Sequence, residues 1–319
     1  ANTTGGSNTA IGKDSLKTVT TSWGNVAVGD SALKLNTGEY NTAVGTTAMD
    51  TNTSGARNVA MGYGAMDANT SGSENVAIGA YALDANTTAS NNTAIGRSSL
   101  GANTTGASNL AIGHYAMSGN TTGSFNTAYG YTALQSNTTG TNNVAIGREA
   151  MISNTTASNN TAVGVHALYA NSTLGTDNTA IGYYSLDANT NGSQNTAVGR
   201  DTLGSNTTGT RNTAVGTYSL DANTTASHNT AVGYWALSNS TGSQNTGLGD
   251  DALKNVTTGY INTGVGRAAG DTITTGVNNT CVGFNAQPTA ATSYNQMTLG
   301  NNDVNNLRCN DTSISSLSD

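Results

Sequence analysis

Few residues in this sequence are of the types that carry out catalysis or hold metals. The three histidines, His114, His166 and His228, lie far apart, and glutamate is rare. Cys281 and Cys309 form no Cys-x-x-Cys pair, so two ordinary small thiols are expected there. The order and spacing of the residues indicate no Ser-His-Asp set, carboxylate pair or phosphate-binding loop. The sequence therefore predicts a protein that is not an enzyme and has no catalytic, cofactor or metal site.

A tandem repeat determines where any functional residue of this chain is placed. The phrase "NTAVG" and its variants recur every seventeen residues, with steps of sixteen before Gly45 and Gly249 and of eighteen before Gly182. Counted from the Asn, one copy reads N-T-A-V-G-x-x-A-L-x-A-N-T-T-G-x-x. We number these positions 1 to 17 and call one copy a coil. Repeats of this length indicate stacked units that share a continuous core.

The apolar positions within the coil predict an all-β fold. Position 4 is usually Val or Ile, position 2 is Thr or Val, and position 9 is Leu or Met. This spacing does not follow the helical period, and Gly with Asn-Thr-Thr interrupts each copy. We predict a parallel β-solenoid or β-roll of about eighteen coils, with two short strands per coil, "NTAVG" and roughly "ALxAN". At the ordinary interstrand distance such a rod is about 80–90 Å long.

The Ala at position 3 suggests how several chains assemble. A solvent-facing position would accept large polar residues, so its persistent Ala indicates a second wall nearby. We predict Val and Leu rows inside the coil and the Ala row against other copies, in an intertwined or side-by-side homotrimer. The predicted solenoid shaft covers residues 1–285, and residues 286–319 form a C-terminal stem.

Histidine and aspartate are the remaining candidates for metal binding. His114 and His166 lie three coils apart, roughly 14 Å at the solenoid rise, and cannot share an ion. Aspartate recurs at position 10, but the Gly-Gly-x-Gly-x-Asp pattern of calcium-binding solenoids is absent. We expect a solvated edge rather than a metal ladder. This acidic row consists of Asp50, Asp67, Asp84, Asp187, Asp221 and Asp271.

Composition excludes several classes of partner. The net charge of −7, with only 11 Lys and Arg, argues against nucleic-acid binding. No apolar stretch is long enough to be inserted in a membrane. Asn-x-Ser/Thr sequons are abundant, and we interpret them as turn chemistry, with glycosylation the alternative in a secretory pathway. These sequons start at Asn52, Asn69, Asn86, Asn103, Asn120, Asn137, Asn154, Asn206 and Asn223.

Positions 6 and 7 vary most and are rich in aromatic residues, interspersed with arginine. Aromatic faces beside polar donors are typical of surfaces that recognise carbohydrate or protein. The alternative is that the rings only cover the glycine turn and pack on the neighbouring coil. We call these candidates for surface recognition the aromatic row: Tyr63, Tyr81, Tyr115, Tyr131, Tyr183, Tyr184, Tyr218, Tyr234 and Trp235.

Two parts of the sequence resemble known families. "NVAIG" and "NTAVG" resemble the repeats of trimeric autotransporter adhesin heads, although the coil here is longer. That resemblance implies a left-handed parallel β-roll wound as a trimer. "NQMTLGNNDVNNLRCNDTSISSLSD", residues 295–319, is similar to the stem that precedes the endosialidase-type intramolecular chaperone of tailed-phage fibres. This second resemblance implies a chaperone that drives trimerisation and is removed by self-cleavage at the junction Ser318–Asp319.

These resemblances favour a structural and adhesive fibre. We expect the shaft or receptor-binding segment of a virion tail fibre, which attaches outside the cell to a host glycan or protein. A trimeric adhesin head on a bacterial surface is the alternative. Ice binding through repeated Thr and glycan degradation are less favoured, the first because "NTT" falls at a predicted turn.

Overall fold

The structure is a computed structural model that describes residues 3–304. In this range every named element is a short β-strand, one in each coil, and the strands form a single sheet. The strands are β1 Thr9–Ile11, β2 Val26–Val28, β3 Thr42–Val44, β4 Val59–Met61, β5 Val76–Ile78, β6 Thr93–Ile95, β7 Leu110–Ile112, β8 Thr127–Tyr129, β9 Val144–Ile146, β10 Thr161–Val163, β11 Thr179–Ile181, β12 Thr196–Val198, β13 Thr213–Val215, β14 Thr230–Val232, β15 Thr246–Leu248, β16 Thr263–Val265, β17 Thr280–Val282 and β18 Met297–Leu299.

The strands pair in parallel, each with its sequence neighbour and in register with the repeat. Ala43 of β3 lies opposite Ala60 of β4, for example, and Ala162 of β10 lies opposite Ala180 of β11 across the eighteen-residue step. The predicted parallel β-solenoid is confirmed. β18, in the segment 286–319, still pairs in register with β17.

The prediction of a second strand in each coil is wrong. The segment "ALxAN" is a series of turns, and its position 9 residues have positive φ, as in Leu83 at 54° and Met117 at 53°. A left-handed conformation is costly for β-branched side chains. This explains why the buried row holds Leu and Met but neither Val nor Ile, the usual residues of a strand.

The core lies between the middle of each strand and position 9, which reverses the predicted faces. The middle residue, usually Ala, is fully buried, as in Ala77 and Ala214. A Cβ atom on Gly247, at this position in β15, would lie 3.2 Å from Cγ of Leu237 in the preceding coil. The Ala row therefore packs on Leu and Met inside one chain. Because the coil is thin, the small residue faces the large one, and the Val and Ile row of position 4 points outward.

The Gly at position 5 is required by two features of the turn that follows the strand. Gly147 has φ 132°, a conformation that L residues rarely adopt. A Cβ atom there would also lie 2.4 Å from the carbonyl oxygen of Gly164 in the next coil. The coils can therefore stack at the strand spacing only if this position lacks a side chain.

Two buried ladders of asparagine fix the other side of the coil. At position 12, Asn69 Nδ2 donates to Asn52 Oδ1 (2.6 Å) and to the Gly72 carbonyl (3.0 Å). At position 1, Asn58 Nδ2 donates to that same carbonyl (2.9 Å), and its backbone N–H donates to Asn41 Oδ1 (2.9 Å). The predicted role of the position 12 Asn, capping a turn and stacking on its neighbours, is confirmed.

These ladders explain the sequons and the irregular steps. The Asn of each predicted sequon has no exposed surface, and its Nδ2, where a glycan would be attached, is engaged in the ladder. Length varies only between position 12 and the Gly or Ala that ends the turn. Asn171 Nδ2 reaches the Gly175 carbonyl (3.0 Å) in the long coil, and Asn36 Nδ2 reaches that of Gly38 (2.9 Å) in a short one.

Within residues 3–304 there is no helix of the length and hydropathy that crossing a membrane requires. Ser318 and Asp319, the predicted cleavage junction, lie outside the described residues, as does Cys309. Cys281 occupies the buried middle position of β17 as a free thiol.

Candidate recognition surfaces

The outward side of the strands forms a continuous flat surface, which we call the strand face. It consists of the first and third residues of each strand, that is, positions 2 and 4. Most are Thr, Val or Ile, and no strand contains a charged residue. The third residue of the strand is 40% exposed at Ile181 and Val232 and reaches 60% at Ile11. From β10 to β17 every strand begins with Thr, so the Thr hydroxyls are aligned along the rod.

The strand face runs along the whole row of strands. Eighteen strands at about 4.8 Å spacing, each of three residues, give a face about 80 Å long and 10 Å wide, on the order of 800 Å². A standard protein interface buries about 800 Å² on each partner. The strand face therefore has about the size of one side of a standard protein interface.

The aromatic row lies beside the glycine turns, as predicted, and its rings contact residues of neighbouring coils. Tyr63 and Tyr81 meet edge to face, with ring centroids 5.2 Å apart. The Arg97 guanidinium lies 5.9 Å from the centroid of Tyr115, and Tyr131 stacks on His114 at 5.7 Å. The rings thus cover the adjacent coils, as the structural alternative supposed. They also stay exposed, since Tyr63 and Tyr131 retain about half of their surface.

Toward the C-terminus the aromatic row alternates with cations. The Arg200 guanidinium lies 5.8 Å from the ring centroids of both Tyr183 and Tyr218, which belong to the coils on either side. Tyr183 also packs edge to face on Tyr184 at 4.3 Å. These contacts fix the side chains in place, because each cation–π contact contributes about 0.5–1 kcal/mol at exposed sites. All nine members of the row therefore lie on one lateral surface.

The C-terminal part of this surface contains a groove of about 460 Å³. Trp235 stacks on Tyr234 with centroids 4.8 Å apart and lies 6.3 Å from Tyr218. The Lys254 ammonium sits 3.7 Å from the centroid of Trp235. We call this site the groove; it is lined by Tyr218, Asp221, Ala222, Trp235, Ser238, Asn239 and Lys254. A larger cavity of about 530 Å³ near Thr298 has no aromatic residue among its lining side chains.

The acidic row is less exposed than a solvated edge would be. Burial raises the pKa of Asp67, Asp84, Asp187, Asp221 and Asp271 above the ordinary value of 3.8. Neighbouring carboxylates add to the effect, for example Asp50 on the pKa of Asp67. Within residues 3–304, no three His, Cys, Asp or Glu side chains gather into a cluster that could hold a metal ion.

Two of the histidines have partners of their own. His166 Nε2 lies 2.7 Å from Glu149 Oε2, and its ring packs on Tyr169 and Tyr184, both at 4.8 Å. His228 contacts Arg211 on the side of the coil that bears position 17. These contacts make both residues part of the lateral packing of the rod.

Sequence reasoning found the rings and assigned Asp221 to a separate acidic row, but it did not single out Ser238 or Lys254. The groove also contains the position 10 residues Asp221, Ser238 and Lys254. They lie beside the aromatic row because the segment after position 7 is a series of turns and not a strand. The three-residue spacing between positions 7 and 10 was the available signal. This spacing predicts that the two positions lie close together only when the left-handed conformation of position 9 is known.

Comparison of the sequence with known proteins adds no assignment: no protein-family model matches the chain, and no curated protein matches it significantly.

Proposed function

We propose that this chain is a rod-like segment of an attachment fibre, in which three copies lie side by side with their strand faces around a common axis. The chain contributes the shaft or receptor-binding part of a virion tail fibre and is not an enzyme. Its aromatic row contacts a glycan or protein on the host surface. The observation that carries this proposal is the charge-free strand face that continues over all eighteen strands.

Burial of the strand face accounts for its composition. Position 4 keeps Val, Ile or another apolar residue in every strand, although inside one chain it contacts little of the core. A face that stays in water tolerates charged residues, and polar or charged residues occur freely on the other outward positions of the coil. Closed threefold symmetry lets one face contact two identical neighbours, so a single continuous surface suffices.

The resemblance of residues 295–319 to a phage-fibre stem supports the virion over the alternative, a trimeric adhesin head on a bacterial surface. Both share the proposed trimer, and the reading frame downstream of Asp319 separates them. A self-cleaving chaperone domain there supports the tail fibre. Coiled-coil heptads followed by amphipathic membrane strands would establish the adhesin instead.

A charge placed on the strand face tests the trimer. Val215 of β13 is replaced by Lys, and the control is Thr225→Lys at position 14, an exposed turn residue of the same coil. We expect the unaltered chain and T225K to sediment as trimers. V215K should sediment as a smaller species, because three like charges would meet near the axis. A trimer that V215K leaves unaffected would contradict an interface at the strand face.

A second candidate function, ice binding, draws on the aligned Thr of β10 to β17. These Thr lie on a flat sheet, unlike the "NTT" segments that the sequence brought forward. An ice-binding surface must remain open to water, so it requires a monomer or an assembly that leaves the strand face exposed. Thermal hysteresis by the unaltered chain, lost in Thr213→Lys, would favour this candidate over the fibre.

A further inference from the structure

The groove has the properties of a preformed ligand site. Its volume of about 460 Å³ is within the range of about 300–1,000 Å³ that is usual for small-molecule sites. Its lining comes from three successive coils, those that follow β13, β14 and β15. The groove lies away from the strand face, because Leu237, two residues after Trp235, packs against the inner side of β15 at Gly247. Association through the strand face therefore leaves the groove accessible.

The indole of Trp235 is fixed before any ligand arrives. Tyr234 stacks on it with an interplanar angle of 20°, and Tyr218 flanks it from the preceding coil. The backbone of Trp235 is also set, with φ 56°, by the same turn that occurs in every coil. A ligand that stacks here does not have to order the indole, which lowers the cost of binding, but it must displace the Lys254 ammonium.

The polar residues of the groove have hydrogen-bonding capacity left over. In the described part of the chain no donor lies within hydrogen-bonding distance of the Asp221 carboxylate, and burial raises its pKa. Ser238 as a whole is nearly buried, at 9% exposure. Asn239 Nδ2 makes one long contact, 3.4 Å, with Asn255 Oδ1. An acceptor and donors thus surround the indole within one small volume.

The charges in and around the groove select against an acidic ligand. Lys254 is the cation of the groove, and its ammonium lies 3.0 Å from Asp251 Oδ1, which neutralises it. Asp221 then leaves an excess of negative charge. A ligand with hydroxyl groups, an apolar C–H face and no negative charge complements these residues.

We propose that the groove binds one neutral hexose residue of a surface glycan, with the sugar ring stacked on Trp235. The Asp221 carboxylate accepts hydrogen bonds from sugar hydroxyls, and Ser238 and Asn239 donate to them. The Lys254 ammonium leaves the indole face and keeps its contact with Asp251 as the sugar ring takes its place. This site deepens the proposed attachment function and rests on it, since it names the ligand class of one part of the aromatic row.

Fluorescence of Trp235 measures binding directly. The chain has two tryptophans, so Trp23→Phe leaves Trp235 as the sole indole reporter. In this background the trimer is titrated with the methyl glycosides of glucose, galactose and mannose, and with glucuronic acid and sialic acid as charged comparators. We expect a saturable change with at least one neutral hexoside, at millimolar affinity as befits a single sugar, and at least tenfold weaker binding of both acids.

Matched variants place the binding in the groove. Trp235→Ala and Asp221→Asn should each weaken the hexoside at least tenfold. The alanine introduced in Trp235→Ala fits this backbone, because Ala268 occupies the same position of its coil with nearly the same φ. One control is Asp84→Asn, the equivalent of Asp221 in a coil whose next neighbour has Ser98 and Gly101 in place of Trp235 and Ser238. The other is Tyr260→Ala, an exposed ring outside the aromatic row.

Three outcomes would overturn the proposal: no neutral hexoside gives a saturable change, an acid binds as tightly, or the controls weaken binding as much as the groove variants. Hexoside binding to W235A is measured by NMR chemical shift changes, because this variant lacks the fluorophore. The sedimentation test of the trimer is independent of this titration. Loss of the groove site therefore leaves the proposed fibre standing, whereas a monomeric chain refutes the fibre whatever the groove binds.

Discussion

At the scale of single residues, backbone conformation decides the composition of the core. Position 9 combines full burial with positive φ, and the side chains that fit both conditions are unbranched at Cβ. Leu220, with φ 52° and no exposed surface, represents the row. Its hydrophobicity alone would permit Ile equally well, so the preference for Leu and Met reflects the turn.

Replacing Leu220 by Ile and by Met separates these two requirements. We expect L220M to lower the free energy of unfolding by less than about 1.5 kcal/mol, as volume-conserving swaps do. L220I should cost about 1–3 kcal/mol more, because a β-branched residue is strained in the left-handed region. Chemical denaturation of both variants measures the difference. Equal stability of L220I and L220M would show that conformation does not select this residue.

A buried asparagine tests the ladder in the same way. Asn137 Nδ2 donates to Asn120 Oδ1 (2.7 Å) and to the Gly140 carbonyl (3.0 Å). In Asn137→Asp both donors are lost, and each unsatisfied buried group costs about 1–3 kcal/mol. The control Asn142→Asp lies at an exposed position and should cost little. Thermal unfolding followed by circular dichroism should show a large loss for N137D only; similar losses in both variants would contradict the ladder's role.

At the scale of the coil, the acidic row makes stability depend on pH. In the folded state burial raises the pKa of Asp67, Asp84, Asp187, Asp221 and Asp271 above 3.8, so protonation favours folding. We expect the melting temperature to rise as the pH is lowered from 7 through these raised values, with the gain complete near 3.8. A melting temperature that falls steadily over this interval would contradict the effect.

A single variant isolates one carboxylate of the row. Asp67→Asn should melt higher than the unaltered chain at pH 7 and show a smaller gain on acidification. Asp177→Asn serves as the control, because its carboxylate is exposed and already accepts hydrogen bonds from Asn159 and Thr176. The control should retain the full pH dependence of the unaltered chain.

The coil also shows how far the sequence predicts the structure. Spacing of the glycines determined the coil length, the parallel register and the number of coils. It did not say which face of a three-residue strand is inside, because positions 2 and 4 share one face and position 3 alone has the other. The β-branched residues suggested that positions 2 and 4 face the core, which is wrong. The thin core instead pairs a small residue with a large one, as at Ala231 and Leu220.

Only part of the candidate recognition surface was predicted, because the residue types do not reveal the turn conformation. Tyr218 and Trp235 were identified from the variability and aromatic content of their positions. Asp221 was interpreted as part of a solvated edge, and Lys254 was not singled out. Their proximity to the rings follows from a turn conformation that the residue types do not reveal when they are considered one position at a time.

At the scale of the whole molecule, each chain has a complete core of its own, whereas its strand face remains exposed. Each chain builds its own core from Ala, Leu and Met, so the solenoid does not need a partner to close it. Its strand face nevertheless presents an uncharged surface on the order of 800 Å² along the rod. This division is what the proposed fibre requires, with identical rods side by side and their aromatic rows on the outside.

Mass per unit length, measured by electron microscopy of single rods, tests the side-by-side trimer most directly. One chain has a mass of 32.0 kDa and its eighteen strands extend for about 80 Å. We predict three chain masses over that length, in particles that are no longer than one chain. A single chain mass over the same length, or particles lengthened by end-to-end stacking, would contradict burial of the strand face between three copies.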